Sequence, residues 1–343
     1  MNPKDSPFTG SLNTSKNMNI DLKLVTRENF FSHLNSEEKF WQDNYLAMYS
    51  TMIKGYVTDP ALMVLPVDDH LVHRGDGVFD VMRCVNNRIF RMEPHLKRLE
   101  NSFKAICLEP PPEYNDIRKI IKAMIIKGGE KNCLIRTVIS RGPGGFSTNP
   151  FECPSSQMYV NINRFHSLPD DDYKKGIPVI TSSVPVKESF FATIKSCNYL
   201  HNVLMKMEAI KSGHDYSIAL DDEGFLAEGS TENIGIVSED GIMKIPGFEK
   251  TLAGTTASRI FELADILVKE NYLDGVQFAR ISQDELFRSR EVMLMGTSLN
   301  VLPVVKFDSR PIGKGLPGPV CKRLSELLWK DMTENKDQLT EVE

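Results

Sequence analysis

Apolar residues along this chain repeat with two periods, and the period changes at turn-forming residues. Residues 78–85 and 88–92 read as two strands around Asn86-Asn87, a pair suited to a tight hairpin because asparagine tolerates the left-handed region. A helix is expected from Glu93-Pro94, with Leu96, Leu99, Phe103 and Ile106 as its apolar stripe. Ile117, Ile120, Ile121 and Met124 define a second helix that stops at Gly128-Gly129. Strands follow at 133–140 and 158–163, separated by Gly142-Pro143-Gly144-Gly145, a mobile lid or turn. Upstream, Ser36-Glu37-Glu38-Lys39-Phe40 predicts a capped helix to about Tyr49, and 61–66 a short strand.

The second half is richer in strands, at 178–184, 216–220, 225–227, 233–237, 242–245 and 292–295. Helices are expected after Gly254 and over 319–332. The arrangement is α+β. The expected organisation is a disordered extension (1–35), a small α+β domain (36–166), an acidic proline-containing linker (167–172), a larger strand-rich domain (173–333) and a charged tail (334–343).

The 343 residues carry a net charge of −5, which gives no reason to expect nucleic acid or an anionic membrane as partner. No apolar run approaches a membrane span, and the polar N-terminus shows no secretory signal. The six cysteines form no C-x-x-C pair and read as reduced thiols of a cytoplasmic protein. No spacing suggests a metal site, and no Walker or G-x-G-x-x-G motif is present.

The candidate chemistry centres on Phe191-Ala192-Thr193-Ile194-Lys195-Ser196-Cys197-Asn198-Tyr199-Leu200. Leu200, Val203, Leu204 and Met207 share one helical face, which places Lys195 at or just before a helix N-terminus. A cation is disfavoured there, so the amine can be neutral and attack a carbonyl. A loop lysine reaching solvent satisfies the same pattern. Gly254-Thr255-Thr256 opens a helix and suits a phosphate, or is an ordinary threonine cap. Gly296-Thr297-Ser298 is a second donor-rich turn. Arg98 can clamp a phosphate or be a solvated helix residue. Glu228 can hold a pyridine nitrogen protonated or be an exposed turn residue.

Six blocks in order resemble the fold-type IV, pyridoxal-phosphate-dependent enzymes, the class IV aminotransferase family. They are His73-Arg74-Gly75-Asp76-Gly77-Val78-Phe79-Asp80, Glu93-Pro94-His95-Leu96-Lys97-Arg98-Leu99, Ile194-Lys195-Ser196-Cys197-Asn198-Tyr199-Leu200, Ala227-Glu228-Gly229-Ser230-Thr231-Glu232-Asn233, Leu252-Ala253-Gly254-Thr255-Thr256 and Gly296-Thr297-Ser298. The family includes branched-chain and D-amino acid aminotransferases and aminodeoxychorismate lyases. The resemblance implies a two-domain D-amino acid aminotransferase-like fold, a smaller N-terminal domain, and pyridoxal 5'-phosphate as cofactor. It implies that Lys195 forms the internal Schiff base and carries the proton, and that Glu228 pairs with the pyridinium. Arg98, the Thr255 and Thr256 amides, and Thr297 would hold the phosphate. Tyr199 resembles a tyrosine that bonds the cofactor's phenolic oxygen, one residue nearer the lysine than in branched-chain enzymes. Arg136 resembles an arginine used toward a substrate carboxylate, and Phe79 and Ser298 fall beside the substrate. The loop after 133–140 lacks the Arg-x-His pair of Bacillus-type D-amino acid aminotransferases, and Phe79 replaces their tyrosine. The implied reaction is amino transfer between a branched-chain L- or D-amino acid and a 2-oxo acid by a ping-pong route, in a homodimer. The alternatives are aminodeoxychorismate lyase activity, giving 4-aminobenzoate and pyruvate, and cofactor binding without turnover.

Overall fold

Asn86 and Asn87 both lie in the left-handed region, at φ 52° and 59°, and turn strand Gly77–Val85 back on Arg88–Phe90. This hairpin seeds the first sheet of the computed structural model, which describes residues 23–34 and 39–343. Residues 1–22 and 35–38 lie outside the described residues, so most of the expected disordered extension and the expected helix cap at Ser36-Glu37-Glu38 fall there. The chain divides into two units, Met1–Lys39 and Phe40–Glu343. The described part of the first holds a short helix, Phe30–Leu34, preceded by a Thr26 amide donating to Asn29 Oδ1 at 2.8 Å.

In the second unit, a seven-stranded antiparallel sheet runs in the order Leu339–Glu341, Arg88–Phe90, Gly77–Val85, Cys133–Ser140, Gln157–Arg164, Tyr45–Ser50, Gly55–Val57. Helices Met92–Ala105 and Ile117–Gly128 bury Leu96, Leu99, Phe103, Ile117, Ile121 and Met124 against it. A nine-stranded mixed sheet follows, and pairing of Asn233 with Glu228 closes most of it into a ring. Ile218, Ile234, Ile236, Leu294 and Leu302 pack in one core of this region. Helices Thr255–Lys269 and Pro319–Glu334 cover the other face, in a core that Val85 and Phe90 of the first sheet complete.

Several expectations change or are narrowed. Residues 45–50 form a strand, not a helix, because neighbours on both sides supply backbone partners and bury Ala47, Met48 and Ser50. The expected strand at 61–66 is a 3-10 turn, Pro60–Leu62, whose cap Asp59 accepts the Ala61 amide at 2.9 Å. In helix Leu200–Lys211 the apolar side of Leu200 and Val203 faces outward, 67% and 58% exposed, while Asn202, Met205 and Ala209 are buried. Gly142-Pro143-Gly144-Gly145 packs closely: a Cβ on Gly142 would lie 2.0 Å from the Ser155 carbonyl oxygen. The acidic stretch after Pro169 is a short helix, Asp170–Lys175, and the charged tail carries the edge strand Leu339–Glu341.

Candidate active site

Lys195 lies between helices Ser189–Ala192 and Leu200–Lys211, five residues ahead of the second. Its segment runs beside strand Gly77–Val85: the Phe79 amide donates to the Lys195 carbonyl at 3.0 Å, and the Cys197 amide to that of Gly77 at 2.8 Å. The Lys195 amide donates to Ser102 Oγ at 3.2 Å. These bonds fix the backbone, so the side chain enters the interior, 8% exposed. Nζ donates to Tyr199 Oη at 3.1 Å and lies 4.8 Å from the Phe79 ring centroid. Burial first, then the nearby Arg98 guanidinium, pushes this amine down to about 7. Helix Leu200–Lys211 begins five residues farther along the chain.

Below the lysine is a buried charge network. Asp80, fully buried, accepts from Arg98 Nε at 2.7 Å and Nη2 at 2.8 Å, and bonds His95 Nδ1 at 2.7 Å. Burial alone would raise the Asp80 carboxyl, but Arg98 and His95 hold it well below the usual carboxylate range. Burial keeps His95 neutral despite the opposing pull of Asp80. Its Nδ1–H therefore donates to Asp80, and Nε2 accepts from Thr255 Oγ1 at 3.2 Å. That hydroxyl is thus turned away from any ligand, and Thr255 can offer only its amide. Arg98 Nη1 donates to the Ala253 carbonyl at 3.3 Å, which draws the guanidinium to the start of helix Thr255–Lys269. The Gly254 cap has no side chain to satisfy the first-turn amides.

Nine of the sequence-expected residues line one cavity of about 260 Å³: Phe79, Arg98, Arg136, Lys195, Tyr199, Thr255, Thr256, Thr297 and Ser298. The tenth, Glu228, lines an adjoining chamber of about 20 Å³ that shares Tyr199, Thr231, Asn233 and Leu252. Glu228 Oε2 accepts the Leu252 amide at 3.0 Å. Burial pushes its carboxyl up to about 7, against the pull of that amide and of Lys195. The Arg136 guanidinium sits 5.2 Å from the Phe79 ring centroid, exposed on its strand yet on the cavity wall. Arg136 is thus an outward strand residue whose guanidinium also borders the cavity.

Asp80 and His95 were not assigned roles from the sequence. A signal existed: an acid within a strand of otherwise mostly apolar residues, and a histidine three residues before Arg98, on the same helical face. The donor set fits a phosphorylated pyridine aldehyde. A cation and a helix N-terminus suit the phosphate, a buried low-pKa amine the aldehyde, and a carboxylate the ring nitrogen.

Comparison with known proteins agrees with this chemistry. The family described as amino-transferase class IV matches residues 77–307. The chloroplastic D-amino-acid transaminase of Arabidopsis thaliana is 36% identical over 84% of this chain and 77% of that protein. A putative branched-chain-amino-acid aminotransferase of Methanocaldococcus jannaschii is 29% identical over 80% of this chain and 93% of its own length. The crystal structure of a T.th. branched-chain amino acid aminotransferase with pyridoxamine 5'-phosphate superposes with a TM-score of 0.80 at 29% identity, covering 87% of this chain and 99% of that one. With the six ordered motifs and the lysine-centred cavity, these matches establish that the chain belongs to the class IV aminotransferases, pyridoxal-phosphate-dependent enzymes of fold type IV.

Proposed function

We propose that this aminotransferase moves the amino group of a D-amino acid to a 2-oxo acid by a ping-pong route, with Lys195 as its catalytic residue. The Lys195 amine carries the reading: it is buried, bonded to Tyr199, and near 7 in pKa. When bound, pyridoxal 5'-phosphate supplies an electron sink that labilises the Cα–H bond of the donor. Lys195 Nζ holds the cofactor at rest, takes the Cα proton as a base and returns it as an acid. A group titrating near neutral pH does both without a large cost. Arg98, the first-turn amides of Thr255 and Thr256, and Thr297 take the phosphate. Glu228 would pair with the ring nitrogen, and Tyr199, which accepts from the Lys195 amine, would bond the phenolic oxygen. Arg136 takes the substrate carboxylate beside Phe79 and Ser298. Of the expected domains 36–166 and 173–333, the parts within Phe40–Glu343 are read as the two halves that enclose this site.

The D-amino acid reading is supported by the 36% identical Arabidopsis thaliana relative. Branched-chain L-amino acids are the second reading, supported by the likeness to the T.th. enzyme. We place the protein in the cytoplasm as a homodimer. All six cysteines are free thiols, and an open apolar cavity of about 740 Å³ runs along helix Leu200–Lys211. Among the described residues no helix is long and apolar enough to cross a membrane. The test is purified holoenzyme with donors of both hands and a panel of 2-oxo acids. Turnover of D-alanine or D-aspartate supports the reading, and turnover confined to L-leucine, L-isoleucine and L-valine replaces it with the second. Pyruvate release from aminodeoxychorismate without an acceptor would mark a lyase and refute both.

A further inference from the structure

A second lysine stands behind the active-site cavity. Lys187 follows strand Ile177–Thr181 in the connection to helix Ser189–Ala192. Its Nζ lies 4.6 Å from the ring centroid of Tyr199, the residue whose hydroxyl accepts from Lys195 at 3.1 Å. With Glu228 it lines the chamber of about 20 Å³, and on its outer side it borders a cavity of about 660 Å³. The charged groups on that outer side are Glu188, Asp221, Asp222 and Lys250. Lys250 occupies the two aspartates and Glu223, at 3.2, 2.9 and 2.8 Å. Among the described residues no carboxylate lies within ion-pairing distance of Lys187. The interior carboxylates it faces are Glu228 and, on the same chamber wall, Glu232.

The charges around Glu228 divide clearly. Burial raises its carboxyl, Glu232 raises it further, and the Leu252 amide, Lys195 and Lys187 oppose them. Arg98 and Tyr199 feel the charge of Glu228 in turn. Lys195 is an unreliable counter-charge, because its nitrogen is committed to the cofactor and to proton transfer. Lys187 has no such task, and burial lowers it while Glu228 opposes that shift.

We propose that Lys187 is a positioning residue for the cofactor ring: it supplies, from behind, the positive charge against which buried Glu228 remains a carboxylate, and it braces the face of Tyr199. This rests on Glu228 being the partner of the pyridine nitrogen. The experiment measures pyridoxal 5'-phosphate affinity of the full chain by absorbance titration across pH, together with the pH profile of kcat/KM of the holoenzyme. The variants are Lys187→Met, Lys187→Gln, Lys187→Arg, Glu228→Gln and the double K187M/E228Q. K187M and K187Q should bind the cofactor about tenfold more weakly at neutral pH and move the acid-side midpoint up by about one pH unit, with K187R near the parent. Adding K187M to E228Q should change affinity less than about twofold. Unmoved midpoints, or an equal loss in the E228Q background, overturn the role of Lys187 alone. E228Q with unchanged affinity and cofactor spectrum overturns the reading of Glu228, and the role of Lys187 with it.

Discussion

Replacing Asp80 by asparagine tests the buried network at its centre, because the shape is kept and only the charge is lost. In the parent, Asp80 is fully buried and meets Arg98 twice, at 2.7 and 2.8 Å, and His95 at 2.7 Å. The variant strands the Arg98 guanidinium, 11% exposed, without a counter-charge. Breaking a buried pair this way costs about 3–5 kcal/mol. Asparagine keeps one acceptor oxygen, so about 3 kcal/mol is the better figure for the cofactor-free protein. For a chain of this length that is a fall in Tm of about 4 °C. Bound phosphate gives Arg98 a replacement anion, so the holoenzyme should lose about half as much. The pH sign is fixed by the folded-state value of Asp80, which lies below its ordinary 3.8. Its contribution is therefore fully present above 3.8 and disappears as pH falls through the folded value, so the gap between parent and variant is constant from about pH 5 to 8 and closes in acid. Asp80 also supports the charge on Lys195, so the variant's amine should titrate below about 7. Calorimetry of both forms, with the pH dependence of aldehyde capture, reads these effects. A Tm change under about 1 °C in the cofactor-free protein at neutral pH would refute the reasoning.

Capture of pyridoxal 5'-phosphate by Lys195, followed by borohydride reduction and peptide mapping, should rise with a midpoint near pH 7 rather than the ordinary lysine 10.5. A Gly254→Ala side chain would place Cβ 1.9 Å from Asn233 Oδ1, displacing the amide that donates to the Leu252 carbonyl at 3.0 Å. Cofactor affinity by absorbance titration should drop about tenfold, equivalent to about 1.4 kcal/mol. Arg136→Gln should raise KM for donor and acceptor acids by about 10–100-fold with a smaller change in kcat, the cost of one charge-assisted hydrogen bond, measured by steady-state kinetics. Deleting residues 336–343 removes strand Leu339–Glu341, buried Val342 and the bond from the Arg91 amide to the Gln338 carbonyl. That should cost about 2–4 kcal/mol and lower Tm by about 3–6 °C, read by calorimetry.

The sequence by itself determined whatever local geometry sets. The Asn86-Asn87 hairpin, the helices Met92–Ala105, Ile117–Gly128, Thr255–Lys269 and Pro319–Glu334, and the order of six motifs were legible. Each depends on residues a few positions apart: a turn pair, a proline in a first turn, an apolar stripe at three- and four-residue spacing. Only the tertiary structure decided the rest. Residues 45–50 are a strand because partners more than 100 residues downstream complete their ladder. The apolar side of helix Leu200–Lys211 faces outward because the site claims the face bearing Asn202. Lys195 titrates near 7, and Asp80, His95 and Arg98 lock one another, because the energy of a buried charge is set by neighbours that folding brings from distant segments, which no spacing along the chain encodes.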